Sequence, residues 1–255
     1  MVARPGIANL KTCSAEIMQE RAVWATNIRY MNDAREFNHA KELLKKALDH
    51  CKPHVQQKFK ELGLEQTVEP DFYPNIFVFS LSKPKDKLSL WRAYGSAGAG
   101  YSIGFRTTDL QRVVGIELKK CCYDHHEHKE LLLECINLTL QNRKPAHSTM
   151  LRLEFWKRFT EVAACVKDQS FREEYGWRLI VEQRNGIKFR AGRSTLTPYI
   201  KVRVADNDSV LPIQEIVVGP CTDKPRAVNA VQQLLKSHGQ TDVAVVHSDI
   251  PYRTW

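Results

Sequence analysis

The chain has 255 residues, 43% of them hydrophobic, enough to bury one sizeable core. Its 38 Lys and Arg against 29 Asp and Glu give a formal charge of +9 and a pI near 9.2. That balance favours acidic partners such as nucleic acid, a dinucleotide or an anionic surface, although the charge is spread along the chain rather than run together. Seven cysteines, an odd number without regular spacing, argue against a disulfide framework and for a reducing cytoplasm. No apolar run approaches the roughly 18 residues that span a bilayer, so no membrane insertion is expected.

In chain order, residues 7–23 are predicted to be helical and residues 24–30 to form a strand. Asp33 and Glu36 stand at capping-box spacing before an amphipathic helix carrying Phe37, Ala40, Leu44 and Leu48. Residues 53–74 read as a polar connector. A buried strand over 76–81 follows, then a charged turn, a short helix around Trp91, a glycine loop and a second strand ending at Phe105. A strand near 116–123 precedes two helices, 129–140 and 150–166, parted by Pro145. Leu151, Phe155, Phe159, Val162 and Val166 fall at helical spacing, which predicts a helical hairpin inserted between strands.

The last third reads mostly as strand, over 177–181, 187–190, 199–204 and 213–218. In the third of these Ile200, Val202 and Val204 face one way, Lys201 and Arg203 the other. A helix over 222–237, opened by Asp223 and Pro225 and closed by Gly239, precedes a last strand over 243–247. Without repeats, low-complexity tracts or a long linker, the expectation is one α+β domain over residues 1–255. Its mixed, mostly antiparallel sheet is flanked by helices, with the helical insertion at about 129–167.

The densest chemistry lies in IFVFSLSKPKDKLSLWRAYGSAGAGYSIGF, residues 76–105. Ser80 and Ser82 share one face of their strand, and Asp86, Ser89, Trp91, Arg92 and Tyr94 crowd the turn that follows. So many polar groups and aromatics between two apolar strands suit the presentation of a site. Gly95, Gly98, Gly100 and Gly104 precede a strand rather than open a helix, and no G-K-[ST] follows, so they do not make a phosphate loop. Asn32, Asp33 and Glu36 either cap the next helix or bind a ligand's hydroxyls, Asn32 being the residue free to do more. Cys121, Cys122, His125, His126 and His128 have the wrong spacing for a closed zinc site and are read as an exposed turn. Tyr252 and Arg253 near the C-terminus have the composition of a tail that returns to a site. Arg190 and Arg193 flank a strand and a turn, and arginine suits pyrophosphate because its fork binds oxygens bidentately.

S-x-S, an Asp shortly after, L-x-x-W-R-x-Y-G, a glycine loop and I-G-F resemble a bacterial domain-of-unknown-function family, number 2971. WATNIRYMNDAREF (24–37), FREEYGWRLI (171–180), the F-R and P-Y-I pieces near Phe189 and Pro198, EIVVGP (215–220) and the closing S-x-I-P-Y-R extend the likeness along most of the chain. The family's strand order and polar strand ends resemble, at the level of fold, the ADP-ribosyltransferase superfamily. That resemblance implies NAD as substrate, a nucleic acid or protein acceptor, and a toxin or phage-defence setting. Ser80, Ser82, Trp91 and Tyr94 would shape the nicotinamide pocket, with Asn32, Arg178 and Arg253 as further cofactor contacts. Glu174 would assist from a strand. The family's F-x-x-E-x-E-W-R places a second glutamate where this chain has Gly176, which implies weakened or absent transfer. The chain also opens at Met1-Val2-Ala3-Arg4 without the family's strand resembling Y-H-Y-T. The alternative is a non-catalytic module of the same fold that binds a nucleotide or nucleic acid.

Overall fold

The computed structural model describes residues 7–10, 13–31, 36–68, 75–95, 100–141, 148–183, 185–192, 195–205 and 210–252. In chain order the elements are β1 (Ile7–Leu10), α1 (Cys13–Glu20), β2 (Ala22–Asn27), α2 (Glu36–Asp49), α3 (Pro53–Glu61), β3 (Ile76–Ser82), α4 (Leu88–Tyr94) and β4 (Tyr101–Phe105). There follow α5 (Thr107–Val114), β5 (Leu118–Lys120), α6 (His125–Gln141), α7 (Ser148–Ala163), β6 (Gly176–Glu182), β7 (Lys188–Ala191), β8 (Leu196–Arg203), β9 (Ile213–Val218), α8 (Lys224–Ser237) and β10 (Ala244–His247). Short 3-10 turns cover Ile28–Tyr30, Glu65–Val68 and Gln169–Glu174.

β3 is the hub of the sheet because its residues are apolar on both faces, as a strand covered on both sides must be. Along one edge it pairs with β6 over its whole length, from Ile76 opposite Glu182 to Ser82 opposite Gly176. The other edge is shared: β2 takes Phe77 and Val78, and β1 takes Ser82. The sheet therefore forks at β3. One arm continues β1-β4-β9-β10, the other β2-β8-β7, and β5 adds to β6. Of the pairings between these strands, only β9 with β10 is parallel. The expected strands at Ile76, Tyr101, Trp177, Tyr199 and Ile213 all belong to this sheet, and the chain is α+β.

Strand alternation sends Phe77, Phe79, Leu81 and Leu179 to one face, where Ile17 and Met18 of α1, Leu110 of α5 and Val231 and Leu235 of α8 cover them. Burying one such side chain contributes about 1.5–3 kcal/mol, so this layer dominates stability. Ile76 and Val78 face the other way against Ala164 and Ile28. They lead into a second core, in which Leu132 and Ile136 of α6, Phe155 and Phe159 of α7 and Leu44 of α2 interlock. α6 and α7 form the expected hairpin between strands. Asp223 caps α8 by accepting from the Arg226 amide at 3.1 Å, and Gly239 takes the left-handed conformation (φ 67°) that ends it.

Three local expectations are corrected. Residues 7–23 are not one helix: β1 comes first, and α1 ends at Glu20, after which Arg21, with a φ of 53°, turns the chain into β2. Residues 53–74 are not a plain connector. Pro53 sits at the start of α3, and Phe59 packs edge-on to Phe155 with centroids 5.1 Å apart, a contact that only the distant α7 supplies. The strand near 116–123 shortens to β5, after which Cys122 forms a lone bridge to Val166. The proposed cap at Asp33 lies outside the described residues. Among the described residues no helix is long and apolar enough to cross a membrane.

Candidate functional site

The C-terminal end of β3 and the start of β6 meet where Ser82 pairs with Gly176. α4 and the 3-10 turn Gln169–Glu174 are joined beside it by hydrogen bonds from Ser89 to Glu173 and from Tyr94 to Glu174. Tyr175, at φ 44°, reverses the chain from that turn into β6, and its carbonyl accepts from the Lys83 amide at 3.3 Å. The sharp turn sets the glutamates just before it beside α4.

Glu174 accepts a hydrogen bond from the Tyr94 hydroxyl and one from Lys167 Nζ at 2.6 Å, with the Lys167 and Glu174 side chains only 7% and 15% exposed. Glu173, by contrast, is solvent-facing. It accepts from Ser89 Oγ at 2.9 Å and pairs with Lys87 at 3.0 Å, and these contacts, Lys87 first, hold its carboxyl below the usual range. Asp86 receives Trp91 Nε1 at 2.6 Å and the fully buried Ser248 Oγ at 2.8 Å. The Arg92 guanidinium lies 5.1 Å from the centre of the Tyr252 ring. The closing S-x-I-P-Y-R motif thus returns to the site through Ser248 and Tyr252.

Between these groups lies a cleft of about 20 Å³, lined in part by Ser82, Lys85, Lys87, Trp91, Tyr94 and Ser102. It has room for about one water-sized group. Trp91 is 1% exposed and its ring packs closely against Gly219. Lys85 also pairs with Glu215 at 3.1 Å.

Of the residues singled out in the sequence, Ser82, Trp91 and Tyr94 line this cleft, and Glu174 is bonded to Tyr94. Ser80 does not join them: it is exposed on β3, opposite Arg178, and outside the cleft lining. Arg178 is 2% exposed, and its guanidinium donates to the Ala164 carbonyl, so it ties β6 to the end of α7 instead of facing the cleft. Glu174 does not lie on a strand, because the turn at Tyr175 separates it from β6. Asn32 and Arg253 lie outside the described residues.

Gly176 leaves no gap. Its amide donates to the Tyr123 hydroxyl at 2.8 Å, and a Cβ there would come within 3.0 Å of both that hydroxyl and Cys121 Sγ. Burial pushes the Tyr123 phenol above its ordinary range, which keeps it a neutral hydrogen-bonding group. The stretch from Cys121 to His128 is exposed at Asp124 to Glu127, as expected of a turn, but not at its ends. Cys121 is buried, and His128, on the first turns of α6, is fully buried with Nε2 3.0 Å from the Cys122 carbonyl. Among the described residues no three His, Cys, Asp or Glu side chains converge as metal ligands would.

Lys167 and Tyr123 were not marked by the sequence. A lone lysine after the buried run Ala163 to Val166 carries no spacing signal, and Tyr123 was hidden among its cysteine and histidine neighbours.

No curated protein and no solved structure matches the chain. Over residues 90–179, which hold Trp91, Tyr94, Tyr123, Lys167, Glu174 and Gly176, the chain is similar to the family described as protein of unknown function (DUF2971), whose model matches that stretch.

Proposed function

We propose that the protein is a nucleotide-binding module, with the cleft beside α4 seating a phosphate oxygen and the rest of the ligand lying across its rim. One observation carries this reading: the cleft's carboxylates are already engaged. Asp86 holds Trp91 and Ser248, Glu173 holds Lys87 and Ser89, Glu174 holds Tyr94 and Lys167, and Glu215 holds Lys85. Of the groups that line the cavity, beside the apolar Pro84, Leu90 and Trp91, Lys85, Lys87 and Ser82 can donate to an oxyanion. The exposed pairs of Lys85 and Lys87 with their glutamates are weak in water and exchange readily for a phosphate. Titration calorimetry with ADP-ribose, ADP and NAD tests it. Saturable binding that weakens about tenfold or more in Lys85→Ala/Lys87→Ala supports the reading; an equal affinity in that variant, or no binding of any of the three, removes it.

ADP-ribosyl transfer from NAD is the second reading, favoured by a carboxylate, Glu174, held within reach of the cleft by Tyr94. In such a reaction the carboxylate stabilises the oxocarbenium-like charge that develops as nicotinamide leaves. Supporting it would require Glu174 to exchange its bond to Lys167 or Tyr94 for the ribose. Nicotinamide release from NAD, measured by chromatography with nucleic acid and protein acceptors and lost in Glu174→Gln, would establish transfer over binding alone.

A further inference from the structure

A second surface lies on the arm β2-β8-β7. The inner face of this arm is core, with Val23, Ala25, Ile200 and Val202 buried. Alternation therefore sets Trp24, Tyr199, Lys201 and Arg203 on the opposite face, where Tyr199 is buried, Trp24 and Lys201 are half-buried and Arg203 is exposed, and the register puts Trp24 opposite Lys201 and Ala22 opposite Arg203. β7 adds Lys188 and Arg190, opposite Tyr199 and Thr197.

These residues form a built arrangement of rings and cations. The Trp24 and Tyr199 rings lie 4.6 Å apart, tilted by 34°. Over them sits the Arg190 guanidinium, 5.3 Å from the Trp24 ring and 5.8 Å from the Tyr199 ring, pinned by its bond to Thr26 Oγ1 at 2.9 Å. Lys188 and Arg203 are exposed at the margins. Among the described residues Lys188, Arg190, Lys201 and Arg203 share this face, with Glu20 paired to Lys201. Along β8, side chains on one face recur about every 7 Å, a step on the scale of successive phosphates in an extended strand.

We propose that this face binds single-stranded nucleic acid. The lysines and arginines meet the phosphates, while the half-exposed Arg190 guanidinium, backed by the Trp24 and Tyr199 rings, and the half-exposed Trp24 offer planar groups to unstacked bases. A duplex hides its base faces, and a lipid headgroup or acidic peptide has no use for these planar groups. The chain's formal charge of +9 works in the same direction. The arm joins β3 at Phe77 and Val78, whereas the cleft lies at Ser82, so this surface is independent of the nucleotide site.

The test is fluorescence anisotropy with a labelled oligodeoxythymidylate of about 12 nucleotides, long enough for one such groove. The expected result is binding that falls steeply with salt and is tighter than for a duplex of equal length. Lys188→Glu/Arg203→Glu, at exposed positions where folding can be verified by melting, should weaken it about tenfold or more. Arg190→Lys keeps the charge but loses the planar stack, and should weaken binding with the salt slope unchanged. Saturating ADP-ribose should leave the oligonucleotide's affinity as it was. No binding at low salt, an unaffected double variant, a duplex bound as tightly, or competition by ADP-ribose would each overturn the proposal.

Discussion

Tyr94 and Glu174 stand 80 positions apart and are joined by a hydrogen bond from phenol to carboxylate. Through it α4 is tied to the turn that precedes β6, and Lys167 closes the same carboxylate from the end of the helical hairpin. Three segments that meet nowhere else in sequence are thereby fixed around one side chain. This junction, more than the cleft's size, defines the site.

The first prediction concerns its energetics. With Lys167 and Glu174 only 7% and 15% exposed, removing one partner strands a charge at low dielectric. Lys167→Ala should cost about 3–5 kcal/mol, and Tyr94→Phe about 1–3 kcal/mol. A urea-denaturation cycle of Tyr94→Phe with Glu174→Gln should give a coupling of at least ~0.5 kcal/mol. Strict additivity would mean that the two side chains are neighbours without an energetic link.

Gly176 gives the second prediction. The resemblance suggests that Gly176→Glu would restore a carboxylate, but the position is walled by Cys121 and Tyr123 at 3.0 Å from a would-be Cβ. Tyr123 has little freedom to yield because its hydroxyl accepts the Gly176 amide. Gly176→Ala should therefore destabilise by about 1–3 kcal/mol, as overpacking does. Gly176→Glu should be worse and should release no nicotinamide. A well-folded Gly176→Glu protein with new NAD turnover would show that the wall gives way.

A third prediction follows from Trp91, whose ring atoms would lie 2.9 and 3.0 Å from a Cβ at Gly219, with the Gly100 carbonyl at 3.0 Å. Backbone on one side and a fully buried indole on the other leave no room. Gly219→Ala should displace the ring, loosen its bond to Asp86, and lower stability by about 1–3 kcal/mol. Thermal melting and the indole fluorescence of Trp91, isolated by comparison with Trp91→Phe, report both effects. An unchanged melt would mean that the strands separate freely at this point.

How far the sequence reached can be judged from these same residues. Periodicity located the strands around Phe79, Ile103 and Ile200 and the hairpin of α6 and α7, because their burial follows directly from alternation or helical spacing. It missed α3, whose one strong anchor, Phe59, is held by Phe155 from a distant helix. It placed Ser82, Trp91 and Tyr94 near one another because all lie on one short strand–turn–helix segment. It failed on Ser80, Arg178 and Gly176, where the direction of a side chain depends on what the partner strand and the end of α7 bring to it. Arg178 reads as an anion binder in sequence, yet its guanidinium serves the Ala164 carbonyl. Tertiary placement, invisible to local pattern, decided each of these.

The last prediction is a pH dependence centred on His128. Burial, opposed by its bond to the Cys122 carbonyl and assisted by His125 and His39 nearby, holds its pKa below the ordinary 6.5. Its Nδ1, like Nε2 of His39, has no hydrogen-bond partner among the described residues, so a proton added there gains no bond from them. Between the folded pKa and 6.5 the unfolded chain binds more protons than the native one. The stabilisation is therefore complete above 6.5 and declines as pH falls through that window. Glu173, Asp168 and Asp124, whose carboxyls are held low by Lys87, Ser170 and the Glu127 amide respectively, lose their contributions only below their ordinary values of 4.5, 3.8 and 3.8. The two sets of groups thus separate on the pH axis. Melting temperature should drop between about pH 7 and pH 5.5 in the parent protein. In His128→Gln, whose amide can still donate to Cys122, that slope should be markedly shallower even if the variant starts from a lower stability. Parallel slopes in the two proteins would assign the loss to another histidine.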